Sequence, residues 1–126
     1  MTEKLNYLKR QGINAQQGMK YADDSLDFYE QLIALFMDEY EEKRACVLKE
    51  AENPGQGYTV LAHGLKNNAR SLGADKLADL AYEHELASKA GDVGFIKENL
   101  DALLETWEQT VHIFKEMVTI QSHADL

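Results

Sequence analysis

The segment LAHGLKNNARSLGA, from Leu61 to Ala74, indicates the architecture of the chain because its apolar residues recur at helical spacing. At about 100° per residue, a helix drawn through this segment and the residues just before it has one apolar side. That side carries Tyr58, Leu61, Ala62, Leu65, Ala69 and Leu72. The opposite side carries His63, Lys66, Asn67 and Arg70. The pattern predicts an amphipathic helix whose solvent-facing side carries a histidine with two cations and an amide beside it.

Another helix is predicted upstream of this segment. Its apolar residues recur at spacings of three and four: Leu26, Tyr29, Leu32, Ile33, Phe36, Met37 and Tyr40. Asp23, Asp24 and Ser25 are available to cap its start, and Cys46 and Val47 either extend it or belong to a short continuation. Cys46, the single cysteine, is expected to be a small core residue. The sequence NPGQG at residues 53–57 then supplies the strongest break in the chain.

Two more helices are predicted downstream. Gly73 suits the left-handed C-terminal cap of the helix that contains His63. The next helix runs from about residue 75 to 90, and its apolar stripe consists of Leu77, Leu80, Ala81, His84 and Ala87. His84 is therefore expected to be a buried structural residue. The last helix has the longest apolar seam: Ile96, Leu100, Leu103, Trp107, Val111, Phe114 and Val118.

Four amphipathic helices joined by short connections predict an all-α fold, an antiparallel up-and-down four-helix bundle. One or two short extra helices, formed by roughly the first twenty residues, are expected to cover one end. The length of 126 residues corresponds to one domain spanning residues 1–126.

The net charge of −9, from 22 acidic and 13 basic residues, should repel nucleic acid and anionic membrane surfaces. We therefore expect neither nucleic acid nor a membrane as a partner.

No stretch approaches the roughly 18 apolar residues of a membrane span, and the N-terminus lacks the apolar run of a signal peptide. We expect a cytoplasmic monomer. One basic island remains around His63, where Lys66, Arg70 and Lys76 outnumber Asp75.

The spacing of the histidines argues against metal chemistry. A carboxylate-bridged site in a helical bundle needs glutamate three residues before histidine. The residues at that position before the four histidines are Val60, Ala81, Gln109 and Ile120. The zinc-protease motif has histidine-glutamate followed by a second histidine four residues after the first. After His84-Glu85 that position is Ser88, so this motif is excluded. No glycine-rich phosphate loop is present, so we expect no cofactor or metal in this chain and no phosphorylation from ATP.

An exposed His63 is either an ordinary solvated residue or a reactive one. Lys66 and Arg70, at i+3 and i+7, would favour the neutral, nucleophilic imidazole through like-charge repulsion. The same cations would attract a phosphoryl group, which brings about two negative charges. These residues alone leave the two interpretations equally balanced.

The longer segment LAHGLKNNARSLGADKLADLAYEHELASKAGD, residues 61–92, resembles the histidine-containing phosphotransfer (HPt) domain. That family has alanine-histidine, any residue, leucine-lysine, glycine-alanine about six residues later, and a glutamate-bearing helix that ends in glycine-aspartate. The spacing matches throughout. The upstream segment GINAQQGMKYADDSLDFYEQLIALF also resembles the family, so the resemblance covers about Gly12 to Leu104.

The resemblance implies a four-helix bundle in which His63 accepts a phosphoryl group at Nε2 from a phospho-aspartate of a response-regulator receiver domain. His63 would then pass the group to another receiver in a two-component pathway that begins at a hybrid histidine kinase. The resemblance implies a phosphoryl carrier and not an enzyme, with Mg²⁺ and most catalytic groups supplied by the receiver. Lys66 aligns with the lysine of the family. Glu85 and Lys89 match positions that often hold a polar side chain or a second cation near the histidine, although a solvated helix face explains these two residues equally well.

Two residues differ from the family pattern. Asn67 stands where the family usually has glycine, and Asn68 replaces a small residue. The Asn67 carboxamide is either an obstacle to a receiver or a replacement contact with the imidazole or the phosphoryl oxygens, and we expect the contact. The two asparagines also mark the alternative function, a degenerate HPt-like module that binds a receiver or another regulator without carrying phosphate. A plain structural bundle in a larger assembly is the third interpretation.

Overall fold

The computed structural model describes residues 2–120, and this part of the chain is all-α, with seven helices and no strand. The helices are α1 (Thr2–Arg10), α2 (Ala15–Tyr21), α3 (Leu26–Asp38), α4 (Tyr40–Glu50), α5 (Gln56–Ser71), α6 (Asp75–Lys89) and α7 (Val93–Thr119). The predicted helices are confirmed, with Cys46 and Val47 in a separate continuation, α4. Two short helices precede them, as expected. Within residues 2–120, no helix is both long enough and apolar enough to cross a membrane.

Short polar residues set the starts of two long helices. The Ser25 hydroxyl accepts a hydrogen bond from the Phe28 amide at 3.2 Å, at the start of α3. The Asp92 carboxylate accepts one from the Phe95 amide at 3.1 Å, at the start of α7. The first N–H groups of a helix have no partner within the helix, so each cap satisfies a donor that would otherwise be unpaired.

The longest helix, α7, contacts much of the rest of the chain. Helix α6 packs against both α5 and α7, while α1 and α3 also pack against α7. Two edge-to-face aromatic pairs anchor the upstream helices to α7: Phe36 with Phe114 at 5.8 Å between ring centroids, and Tyr40 with Trp107 at 5.3 Å. The predicted burial of Trp107 is confirmed.

Two predicted core residues are exposed to solvent. Cys46 is exposed, and Val47 takes the core position in its place. The reason is that α4 begins at Tyr40, which puts Val47 seven residues later on the same side and turns Cys46 about 100° away. Val118 is 43% exposed, because at the end of α7 the preceding Met117 fills the core with its long side chain.

The turn between α5 and α6 is also the point where α2 attaches. Gly73 has a φ of +86°, which confirms the predicted left-handed cap. A Cβ at this position would collide with the backbone of Asn14, whose amide donates a hydrogen bond to the Gly73 carbonyl at 2.8 Å. One turn earlier, the Gln17 side chain donates to the Arg70 carbonyl at 3.1 Å. The C-terminus of α5 is therefore tied to α2 by two hydrogen bonds.

Contacts between α5 and α6 pair early residues of one helix with late residues of the other. The Tyr58 hydroxyl lies 2.8 Å from Nδ1 of His84, and the Thr59 hydroxyl lies 2.6 Å from that of Ser88. The two helices therefore run in opposite directions. This packing sets the polar face of α5, with His63, beside the second half of α6.

Candidate functional site

The imidazole of His63 stands between solvent and a buried carboxylate. Its side chain is 53% exposed, and its Nδ1 lies 3.0 Å from Oε2 of Glu85 on α6. A carboxylate ion can only accept a hydrogen bond, so Nδ1 carries the proton of the neutral ring and donates it. The second nitrogen, Nε2, then holds the lone pair. The arrangement selects Nε2 as the nucleophilic atom.

Glu85 is the centre of this cluster. Its side chain is 3% exposed, and Lys66 Nζ lies 2.9 Å from Oε1 while Lys89 Nζ lies 3.0 Å from Oε2. Burial alone would raise the pKa of Glu85, but hydrogen bonds from Lys66, Lys89 and His63 outweigh burial and lower the pKa to about 2. The carboxylate is therefore ionised at neutral pH. The interpretation of Glu85 as part of a solvated helix face is wrong.

Two lysines surround that carboxylate in different ways. Lys66 is only 19% exposed, and its ammonium lies 4.9 Å from the centre of the Tyr82 ring, within the range of a cation–π contact. Lys89 is exposed and reaches back one turn along α6 to Glu85. Two ammonium groups against one carboxylate leave one net positive charge beside the neutral imidazole. That charge suits an incoming phosphoryl group.

Asn67 contacts the other side of the ring. Its Nδ2 lies 3.1 Å from Nε2 of His63, one helical turn away on α5. An amide nitrogen can only donate, so its N–H is directed at the lone pair of Nε2. This is the contact with the imidazole that the sequence suggested. Both nitrogens of the ring are thus hydrogen-bonded, one to each helix.

The structure does not bring Arg70 into the cluster. Its guanidinium lies 2.9 Å from an oxygen of Asp79 and 3.7 Å from one of Asp75. Arg70 is seven residues after His63, which is about 10 Å along the helix, so it faces the start of α6 instead. The expected basic island is therefore split. Lys89 joins the cluster around His63, whereas Arg70 is neutralised by aspartates.

His84 is confirmed as a buried structural histidine. Its Nδ1 accepts from the Tyr58 hydroxyl at 2.8 Å, and its Nε2 lies 3.1 Å from the backbone oxygen of Asn99 and donates to it. Burial lowers the pKa of His84 below its ordinary value, although the hydrogen bond to Asn99 and the charge of Glu83 act in the opposite direction. His84 is held neutral between α5 and α7, out of reach of a phosphoryl donor.

The burial of Glu85 is what the sequence reasoning missed. Ala81, a stripe residue, lies four positions before Glu85, so the two residues share one face of α6. That spacing, together with Lys89 four residues later, was the signal in the sequence that indicated a buried Glu85.

Among residues 2–120, no group of three His, Cys, Asp or Glu side chains could hold a metal ion. The cluster is arranged for a nucleophile and an anionic group.

One curated protein resembles this chain over most of its length. The chain is 27% identical over 88 residues to the phosphorelay protein LuxU of Vibrio cholerae serotype O1, and the match covers 69% of this chain and 78% of that protein. The chain is similar to a phosphorelay protein. No family model matches it, and no solved structure matches it significantly.

Proposed function

We propose that this protein is a phosphorelay intermediate in two-component signalling. His63 accepts a phosphoryl group from the phospho-aspartate of a response-regulator receiver domain and passes it to another receiver. The observation that carries the proposal is the 3.0 Å contact between His63 Nδ1 and the buried Glu85 carboxylate, which makes Nε2 the nucleophile. The similarity to a phosphorelay protein supports the same class of function.

The proposed reaction uses the cluster as follows. The lone pair on Nε2 of His63 attacks phosphorus and forms an N–P bond, while the P–O bond to the receiver's aspartate breaks and leaves its electron pair on that carboxylate. The ring gains positive charge, which the Glu85 carboxylate stabilises through Nδ1–H. Lys66 and Lys89 compensate the charge of the phosphoryl oxygens. We expect Mg²⁺ and the remaining catalytic groups to come from the receiver.

We also propose that α3 with α4, α5, α6 and α7 form the antiparallel up-and-down bundle that the resemblance implies, with α1 and α2 at one end. The opposite directions of α5 and α6, and the packing of α6 on α7, support this arrangement. We propose further that the carrier is a cytoplasmic monomer, phosphorylated in a pathway that starts at a hybrid histidine kinase.

One observation favours a second function. The Asn67 amide occupies the lone pair of Nε2, which is the atom that must react. If that hydrogen bond were permanent, the protein would bind a receiver or another regulator without carrying phosphate. The two functions differ in a single measurable property, which is the appearance of phosphate on His63.

The test is incubation of the purified protein with each phosphorylated receiver of its own organism in the presence of Mg²⁺. We expect the protein to acquire a label that is labile in acid, as phosphoramidates are, and His63→Gln to acquire none. His112→Gln, an exposed histidine on α7, is the matched control and should be labelled like the wild type. Label that persists in His63→Gln contradicts the proposal. A receiver that binds specifically but never transfers phosphate supports the binding module instead.

A further inference from the structure

We propose that Asn67 is a positioning residue that holds the imidazole of His63 in its reactive orientation and covers the Nε2 lone pair until a phosphodonor arrives. This inference rests on the proposed function of His63 as a phosphoryl acceptor. It starts from two distances: Asn67 Nδ2 lies 3.1 Å from Nε2, and Glu85 Oε2 lies 3.0 Å from Nδ1. Helix α5 binds one ring nitrogen and helix α6 binds the other.

The two groups that hold the ring have opposite hydrogen-bonding properties. Glu85 is buried and ionised, so it only accepts, whereas the amide nitrogen of Asn67 only donates. Together they match one form of His63, the neutral ring with its proton on Nδ1. An imidazole with a hydrogen bond at only one nitrogen could still change its orientation by rotating about its side-chain torsions. The bond to Asn67 removes this freedom, so the ring is held before any partner binds.

The two bonds differ in how easily they can be broken. Glu85 is almost completely buried and also bonded to two lysines, whereas Asn67 is exposed and its side chain can rotate into solvent. The hydrogen bond from Asn67 to Nε2 can therefore be broken, while the hydrogen bond from Nδ1 to Glu85 stays. When Asn67 turns away, the lone pair becomes free on the exposed side of the ring.

The same amide has a partner after the transfer. The new N–P bond replaces the lone pair, and three phosphoryl oxygens, all acceptors, then lie near the former position of the amide contact. Asn67 can donate to one of them, so the hydrogen bond that is lost before the reaction is regained afterwards. A glycine at this position would offer neither bond. Asn67 thus acts on the reactive nitrogen in the resting protein and on the phosphoryl group in the product.

The kinetic test uses phosphoramidate, a small phosphodonor that has no docking surface. We expect Asn67→Gly to be labelled about two- to tenfold more slowly than the wild type, because the ring loses the bond that holds its orientation and the phosphoryl group loses a donor. We expect Asn67→Asp to be labelled about tenfold more slowly than the wild type, because a carboxylate has no N–H to donate to Nε2 or to the phosphoryl oxygens and repels an anionic phosphodonor.

A neighbouring residue provides the matched control. Asn68→Asp adds the same charge on the exposed surface of α5, and no hydrogen bond joins the Asn68 side chain to His63 among the described residues. Its rate should stay within about twofold of the wild type. The other charged groups around the ring, Lys66 on α5 with Glu85 and Lys89 on α6, are unchanged in all variants. Equal rates for wild type, Asn67→Gly and Asn67→Asp, or faster labelling of Asn67→Gly than of the wild type, would overturn the inference.

A measurement on the unphosphorylated protein separates this inference from the proposed function. Nuclear magnetic resonance should detect a scalar coupling between Asn67 Nδ2 and His63 Nε2 across the hydrogen bond, which is lost in Asn67→Gly. A wild-type protein with this coupling that no donor can label would refute phosphotransfer while keeping the contact. A wild-type protein without the coupling would refute the positioning role, whether or not the protein carries phosphate.

Discussion

Glu85 fixes the orientation of the His63 imidazole through its contact with Nδ1. A buried carboxylate without partners would be strongly destabilised, and this one is compensated by donors from three side chains, His63, Lys66 and Lys89. Because these donors share one acceptor, the removal of any of them changes the surroundings of the other two. The orientation of the imidazole and the position of the lysines are thus parts of one network.

Lys66 allows a direct test of the charge that faces the phosphoryl group. Lys66→Ala should slow transfer from a receiver by about tenfold to a hundredfold, which corresponds to about 1.4 to 3 kcal/mol for one charge-assisted contact. Thermal unfolding should show that the variant still folds. Lys76→Ala removes an exposed lysine near the start of α6 and serves as the control, with transfer close to that of the wild type. Unchanged transfer by Lys66→Ala at low salt would mean that this ammonium has no role in the reaction.

The positions along α5 could be predicted from helical periodicity, but their partners on α6 could not, although the family resemblance indicated Glu85 and Lys89 as candidates. Helical periodicity was enough to place His63, Lys66 and Asn67 on one polar side. The burial of Glu85 and the pairing of Arg70 with aspartates depend on how far each helix is rotated toward the other. Side-chain packing in the folded protein sets that rotation, and a pattern read along a single helix does not contain it.

Among the helical elements, the junction of α5, α6 and α2 depends on one glycine. Gly73→Ala should lower the free energy of unfolding by more than about 2 kcal/mol, because a left-handed residue gains a Cβ that also collides with Asn14. Gly91→Ala is the matched comparison, since it has a φ of +71° with nothing within 4 Å of the added Cβ. It should cost about 1 kcal/mol. Urea unfolding measures both, and equal losses would show that the contact with Asn14 contributes nothing.

His84 should make the packing of α5, α6 and α7 sensitive to pH. The pKa of His84 in the folded protein lies below its ordinary value of 6.5, so folding favours the neutral ring. Above pH 6.5 the ring is neutral in both states. As the pH falls below 6.5 the unfolded chain binds the proton first, and stability decreases until the folded protein binds it too.

The corresponding variant is His84→Gln, which can still donate to Asn99 and accept from Tyr58. Its free energy of unfolding should fall less than that of the wild type between pH 7 and pH 5. His112→Gln, which alters an exposed histidine, should follow the wild-type curve. If His84→Gln loses as much stability over this range as the wild type, burial of His84 is not the source of the pH dependence.

The break between α3 and α4 is the helical feature that the sequence did not locate. Glu39 lies between α3 and α4 with neither proline nor glycine beside it, so the local sequence contains no strong helix breaker. The packing of Tyr40 against Trp107 accompanies the change of direction. A contact between residues so far apart in sequence is not visible in local propensity. The start of α3 at the Ser25 cap and the ends of α5 and α6 just before Gly73 and Gly91 were predictable.

For the molecule as a whole, the distribution of charge matters more than its sum. The chain has a net charge of −9, yet the cluster around His63 contains two ammonium groups and one carboxylate. The acidic pocket of a receiver would be repelled by most of this surface and attracted to the part that carries the nucleophile. The all-α class and the exposed histidine followed from periodicity. A basic island around His63 was also predicted, but which cations form it required the fold, because Lys89 lies on a different helix from Lys66 and Arg70 pairs with aspartates.

Transfer out of the protein distinguishes a relay from a receiver-binding module most directly. The protein is loaded with labelled phosphate by one phosphorylated receiver, separated from it, and mixed with a second, unphosphorylated receiver and Mg²⁺. We expect the label to move from His63 to an aspartate of the second receiver faster than it is hydrolysed in buffer alone, while His63→Gln carries no label at either stage. A label that never enters His63, or that leaves it only at the rate of hydrolysis in buffer, would contradict the proposed relay.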